Sequence, residues 1–138
     1  MTPFILDVPR IAATEAAEQS NIEFPYGLIG IPGTRYALRQ DDGPFALLQS
    51  IDDPALSMPV ANPFRFVETY AIELSDQEGA LLPAEDLAQA STYVTVRHDP
   101  DLARLVLNLR APIVIVGARG FQVINQAPDA SLRAPFGA

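Results

Sequence analysis

The residues best suited to chemistry are few. The single histidine, His98, stands before Asp99-Pro100, a dipeptide that reads as a turn. A histidine base needs a nucleophile within reach and a third group to orient it. No G-x-S-x-G elbow presents a serine to it, and the chain has no cysteine. His98 therefore reads as an exposed turn residue. With one histidine and no thiolate, only carboxylates remain as metal ligands. Asp41-Asp42 and Asp52-Asp53 place carboxylates side by side. Neighbouring side chains diverge, however, and no calcium-loop spacing supplies further ligands. Turn and capping roles account for both pairs. Paired acids of the glycosidase kind would line a cleft, whereas these acids cluster at turns and in short helical segments. The sequence contains no lysine, which excludes Schiff-base chemistry and a P-loop. Gly27, Gly30 and Gly33 recur at every third position without the strand-to-helix context of a dinucleotide site. They read as a tight loop bounded by Pro25 and Pro32. No cofactor, metal or catalytic group is expected.

Binding is the remaining class, and charge bears on it. The 138 residues carry nine arginines and seventeen acids, for a formal net charge of −8. That balance disfavours non-specific nucleic-acid and anionic-membrane binding. The aromatic residues include no tryptophan and are not interleaved with bases, so they form no stacking platform for single strands. Twelve acids lie from Asp41 to Asp101 against Arg65 and Arg97, whereas four arginines and only Asp129 follow Leu102. This asymmetry reads either as ordinary solvated surface or as an acidic face that steers a basic partner. Met1 to Asp7 lacks the basic region and apolar core of a signal peptide. The apolar runs fall short of the roughly 20 residues that span a bilayer.

The elements that must position any site are mostly strands. Residues 4–8 suit a short strand, limited by Pro9 to an edge, and residues 10–20 a helical turn or two. Asn21 to Phe24 reads as a brief strand. Arg35 to Gln40 alternates, with Tyr36 and Leu38 on one side, and Asp41-Asp42-Gly43-Pro44 turns it into a hairpin with Phe45 to Ser50. The apolar run from Phe45 to Ile51 suits a strand buried on both faces. Glu68 to Leu74 has strand spacing at Tyr70 and Ile72. Ser75-Asp76-Gln77-Glu78 is a capping-box pattern, which predicts a short helix near 76–81 with Glu78 reaching back to the serine amide. Pro83 to Ala88 suits a second. Thr92 to Arg97 is rich in β-branched and aromatic residues. His98 to Asp101 turns the chain, and strands follow at Leu105–Leu109, Ile113–Val116 and Arg119–Asn125. The tail from Ala127 reads as irregular. About eight short strands and about two short helices make a mainly β fold, a small antiparallel β-barrel-like single domain.

The organising stretch is Phe45 to Tyr70. Asp52-Asp53-Pro54 stops its first apolar run, Ser57 to Ala61 makes a second, and Asn62-Pro63 turns the chain. Phe64, Phe66 and Tyr70 then need packing or a partner. Leu48-Gln49-Ser50-Ile51-Asp52-Asp53-Pro54 and Ala61-Asn62-Pro63-Phe64-Arg65-Phe66 resemble the centre of the flagellar assembly factor FliW family. Phe24-Pro25-Tyr26-Gly27-Leu28-Ile29-Gly30 is similar to the family's opening block. Asn108 to Ile115 and Gly120-Phe121-Gln122-Val123 are similar to its later blocks. Three blocks in order cover residues 21–138, while residues 1–20 match poorly.

The resemblance implies a compact β-barrel and a non-enzymatic, cytoplasmic partner switch. Family members bind flagellin and the translational regulator CsrA. While flagellin occupies the protein, CsrA represses flagellin synthesis; once flagellin is exported, the freed protein binds CsrA and lifts repression. The expected free state is a monomer. Candidate partner contacts are Asn62, Phe64, Phe66, Glu68, Tyr70, Glu73, Glu78 and Asn108. The aromatics would serve as anchors or as core, the acids as steering charge, and Asn62 and Asn108 as polar staples. Rival readings are a chaperone for another secreted subunit, and a small-ligand or hydrolytic barrel with convergent carboxylates in a deep apolar pocket.

Overall fold

The computed structural model describes residues 4–6, 19–40, 45–67, 70–82, 90–101, 103–128, 130–131 and 134–135. The strands are β1 (Phe4–Leu6), β2 (Gln19–Glu23), β3 (Arg35–Gln40), β4 (Phe45–Ser50), β5 (Ser57–Ala61), β6 (Ile72–Leu74), β7 (Ser91–Asp99), β8 (Arg104–Leu107), β9 (Ile113–Val116), β10 (Arg119–Gln122) and β11 (Ala134–Pro135). A 3₁₀ turn, Pro63–Arg65, follows β5, and one short helix, α1 (Asp76–Gly79), follows β6.

Seven strands close a barrel in the order β7-β5-β4-β3-β2-β10-β9, with β9 returning to β7. The fold is mainly β, as the alternation and turn spacing imply. Its pairings are antiparallel apart from β2 and β10, which run parallel and meet at one register pair, Glu23 with Arg119. The nine-residue β7 serves three neighbours. Ser91–Tyr93 pairs with β9, Val94 and Thr95 with β5, and Val96–Asp99 with β8. Its last residues thus leave the barrel to form a flap with β8 and β11. β1 pairs with β6 as a separate two-stranded sheet.

The barrel interior is filled by Phe24, Tyr36, Leu38, Leu48, Val60, Tyr93 and Ile113 among others. The Phe24 ring meets Tyr36 edge-on, with centroids 5.7 Å apart. A second apolar cluster joins Ile72, Leu74 and Leu82 to Val114, Val116, Phe121 and Val123. A third joins Ala61 and Val94 to Leu107 and Leu109. The clusters explain why β9 is four consecutive apolar residues. Ile113 and Ile115 face the first cluster while Val114 and Val116 face the second, and all four are buried. Each such burial contributes about 1.5–3 kcal/mol.

Several expectations are corrected here. The strand buried on both faces is β9. In β4, Ala46, Leu48 and Ser50 are buried, but Phe45, Leu47 and Gln49 are only half-buried. His98 is exposed and lies in β7, not in a turn, because the β7–β8 ladder runs on to Asp99 and pairs His98 with Leu105. In β8, Val106 and Leu107 are both buried while Leu105 is exposed, so strict alternation fails in this strand between β7 and β11. Near Tyr70 the strand is confined to β6. β10 stops at Gln122. Beyond it Val123 N–H and Asn125 N–H donate to Pro112 and Arg110 carbonyls outside a regular ladder. The turn at residues 41–44, the helix at 83–88 and residues 7–18 lie outside the described residues, and Gln19 and Ser20, expected in a helical turn, lie in β2.

Candidate functional site

The predicted contacts do not form one exposed cluster. Asn62 is buried, and its side-chain oxygen accepts the Phe64 N–H at 2.9 Å, capping the 3₁₀ turn. That turn sends Phe64 and Phe66 to different places. Phe64 packs against the second cluster and meets Tyr70 with centroids 6.0 Å apart. Phe66 packs against the third and meets Phe45 at 5.5 Å. Tyr70 touches both clusters and donates its hydroxyl to the Leu109 carbonyl at 2.5 Å. All three aromatics are half-buried, so most of their apolar surface serves packing.

Asn108 is half-buried and accepts the Arg110 N–H at 3.0 Å, closing the turn after β8. The fully buried polar staple is a residue that sequence reasoning missed, Asn125. Its Oδ1 accepts the Glu73 and Ala127 amides at 2.9 and 3.0 Å, and its Nδ2 donates to the Ala71 carbonyl at 2.9 Å. Glu73, half-buried, is thereby fixed through its backbone. Ser75 caps α1 as predicted, accepting Glu78 N–H at 3.2 Å. Glu78 uses its carboxylate to hold the Ile124 N–H at 3.2 Å, a bond across the fold where the pattern implied one to the serine amide. Glu68 lies outside the described residues.

Among the described residues no group of three or more potential metal ligands comes together. The Asp52-Asp53 pair does what turns ask of it. Asp53 N–H donates to Ser50 Oγ, Asp53 Oδ1 accepts Ala55 N–H, and Asp52 pairs with Arg35 at the surface. The hydrogen bond and charge of Asp52 hold the Arg35 guanidinium above its ordinary pKa. Such an exposed pair adds little stability.

Among the described residues, two surface grooves flank the β2–β10 seam. A groove of about 510 Å³ is lined by Glu23, Pro25, Tyr26, Arg119, Phe121 and the segment from Ala80 to Leu82. A shallower one of about 300 Å³, on the other side of Glu23 and Arg119, reaches Ile22, Arg35 and Ile51. Glu23 is the one carboxylate lining either groove, so neither is the deep site with convergent acids that a hydrolytic barrel requires. Tyr26 is 69% exposed and Ile29 58%. Both sit on the glycine loop, where Gly27 and Gly30 adopt φ of +76° and +82°. That left-handed backbone makes the loop tight: Leu28 packs into the first cluster while Tyr26 and Ile29 stay outside it.

The FliW protein family model matches residues 6–136. A flagellar assembly factor FliW from Nitratidesulfovibrio vulgaris (strain Hildenborough) is 37% identical over 133 residues, covering 92% of this chain and 76% of the relative. One from Bdellovibrio bacteriovorus is 33% identical over 139 residues, covering 96% and 78%. A crystal structure of the flagellar assembly factor FliW superposes with a TM-score of 0.69 at 28% identity, covering 86% of this chain and 87% of that one.

Proposed function

The chain belongs to the FliW family of flagellar assembly factors, and from that membership we propose that it is a non-enzymatic, cytoplasmic partner switch that binds flagellin and antagonises a CsrA-type translational regulator. The observation that carries this reading is the family match along residues 6–136, in which a solved FliW barrel and this barrel share their architecture. A switch of this kind needs two competing equilibria on one small protein and no reactive group. Bound flagellin occupies the protein and leaves the regulator free to repress flagellin synthesis. Export of flagellin frees the protein to take up the regulator. The net charge of −8 supports steering of a basic partner, which raises association rate more than final affinity.

The test is retention of partners from a cytoplasmic extract of the protein's own source, identified by mass spectrometry. Flagellin and a CsrA-type protein are expected, with added flagellin releasing the regulator. Recovery of neither, from cells that make both, overturns the partner assignment. Recovery of another secreted subunit instead would favour the chaperone reading on the same barrel. The acidic component is tested separately by replacing Glu68, Glu73 and Glu78 with alanine together. Slower association of the regulator at low salt is expected, and unchanged kinetics would remove the acidic face from the mechanism.

A further inference from the structure

Four of the large apolar residues that the fold leaves most exposed, Tyr26, Ile29, Leu81 and Ile124, gather around one segment. The Tyr26 ring lies 6.3 Å from that of Phe121. The Ile29 N–H donates to Gln122 Oε1 at 2.7 Å. Leu81 shares the groove of Tyr26 and Phe121, and Ile124 is held by Glu78 three residues before Leu81. Exposed apolar residues scattered singly are ordinary, whereas several on neighbouring segments suit an interaction surface.

The patch is held ready. Gln122 bridges the glycine loop to the body, accepting from Ile29 and donating to the Ala111 carbonyl at 3.0 Å. At the loop's other end the buried Tyr36 hydroxyl donates to the Pro32 carbonyl at 2.5 Å. These two pins fix the ends of the loop and leave less order to impose when a partner lands. The groove beside the loop is open to solvent and brings Leu81 and Phe121 together with Glu23 and Arg119.

Charge selects the occupant. Glu23 lines the groove, and Asp76 and Glu78 stand on α1, the helix that leads into Ala80 and Leu81. Arg119 is the base among them, while Arg35 on the neighbouring groove is already paired with Asp52. A second copy of this chain would bring the same acids and a further −8. We propose that this surface docks a short apolar segment of a partner protein that carries basic residues at its flanks. The proposal rests on the reading of the chain as a protein-binding module.

The probe is a synthetic amphipathic peptide of leucine and lysine, with a leucine–glutamate counterpart, titrated calorimetrically into the full chain. The leucine–lysine peptide is expected to bind. Ile29→Asp and Leu81→Asp should each weaken it about tenfold or more, as loss of a central anchor does. Leu105→Asp, at an exposed apolar position on β8, should leave binding unchanged. All three changes are at exposed positions, and equal melting temperatures would establish that the variants fold. Equal binding by wild type and all variants overturns the proposal, as does equal binding of the glutamate peptide. Concentration-dependent self-association that Ile29→Asp abolishes also overturns it, by making a second copy the occupant. Because the peptide is synthetic, this result and the recovery of flagellin from an extract fail independently.

Discussion

The Tyr70 hydroxyl and the Asn125 side-chain amide donate to one oxygen, the Leu109 carbonyl, at 2.5 and 3.4 Å. Asn125 also ties Ala71, Glu73 and Ala127 to the same spot. Buried amides and carbonyls must be paired, and removing one partner leaves the others unsatisfied at about 1–3 kcal/mol each. Asn125→Ala should therefore cost about 2–4 kcal/mol in urea unfolding. Asn125→Asp should cost at least as much, because it replaces the donor to Ala71 with a buried acceptor. Tyr70→Phe removes one bond and should cost about 1 kcal/mol. The double variant should be more destabilised than the sum, since either donor alone still satisfies the Leu109 carbonyl and only the loss of both leaves it bare. Strict additivity would show that the Leu109 carbonyl is not shared in solution.

Gly120 in β10 faces the barrel core. A Cβ there would lie 2.3 Å from Phe24 Cε2 and 2.6 Å from Cζ, far inside contact distance. Phe24 is wholly buried against Tyr36 and cannot swing aside without opening the core. Gly120→Ala should destabilise by about 1–3 kcal/mol, as overpacking does. Trimming the ring with Phe24→Leu in the Gly120→Ala background should recover part of that loss. No recovery would mean that glycine is needed at 120 for the backbone and not for the ring.

The barrel was legible where one periodicity dominated. Tyr36 and Leu38 alternate with Arg35 and Arg39, and both are buried, although Ala37, on the face of the two arginines, is buried as well. Ser75 and Glu78 marked α1 because a helix start is a local event. The β4 misreading has a physical cause: an apolar run shows that both faces tolerate burial, and only the rest of the fold says which face is covered. Asn125 was invisible for the same reason, since its partners Ala71 and Glu73 lie 54 and 52 residues away. The type of the aromatics in the family-like centre suits anchors or core alike, and only the fold shows that Phe64 packs on the second cluster, Phe66 on the third and Tyr70 on both. Tyr26 and Ile29 carried a signal that went unused. A large apolar residue beside a glycine in a proline-bounded turn has few neighbours to bury it.

Ala103 adopts φ of +54°, the one non-glycine residue with positive φ among those described. It lies in the β7–β8 connection, after the turn that Asp99 closes by accepting Asp101 N–H at 2.9 Å. A Cβ in this region crowds the following carbonyl by roughly 1–2 kcal/mol, which glycine avoids at some entropic cost in the unfolded chain. Ala103→Gly should stabilise by up to about 1 kcal/mol, read as a higher urea midpoint with an unchanged slope. A lower midpoint would mean that entropy outweighs strain at this turn.

The alkaline limit of stability should be set by Tyr36 and Tyr93. Burial raises both phenols above their ordinary pKa, because the ionised form loses its hydration. Tyr93 also donates to Gln40 Oε1 at 3.0 Å, a bond that only the protonated phenol can make. The folded chain thus holds these protons to higher pH than the unfolded chain, where tyrosine ionises near about pH 10. Their contribution is complete below that value, and it is lost as pH rises through the folded pKa values. Urea midpoints should be level with respect to these groups below about pH 9 and should fall steeply above about pH 10. Tyr93→Phe should start less stable, for want of the Gln40 bond, and should lose less on going alkaline. Tyrosinate absorbance should include a late fraction that appears together with unfolding. If all the tyrosines ionised while the β signal in circular dichroism persisted, the burial of these two phenols would not control alkaline stability.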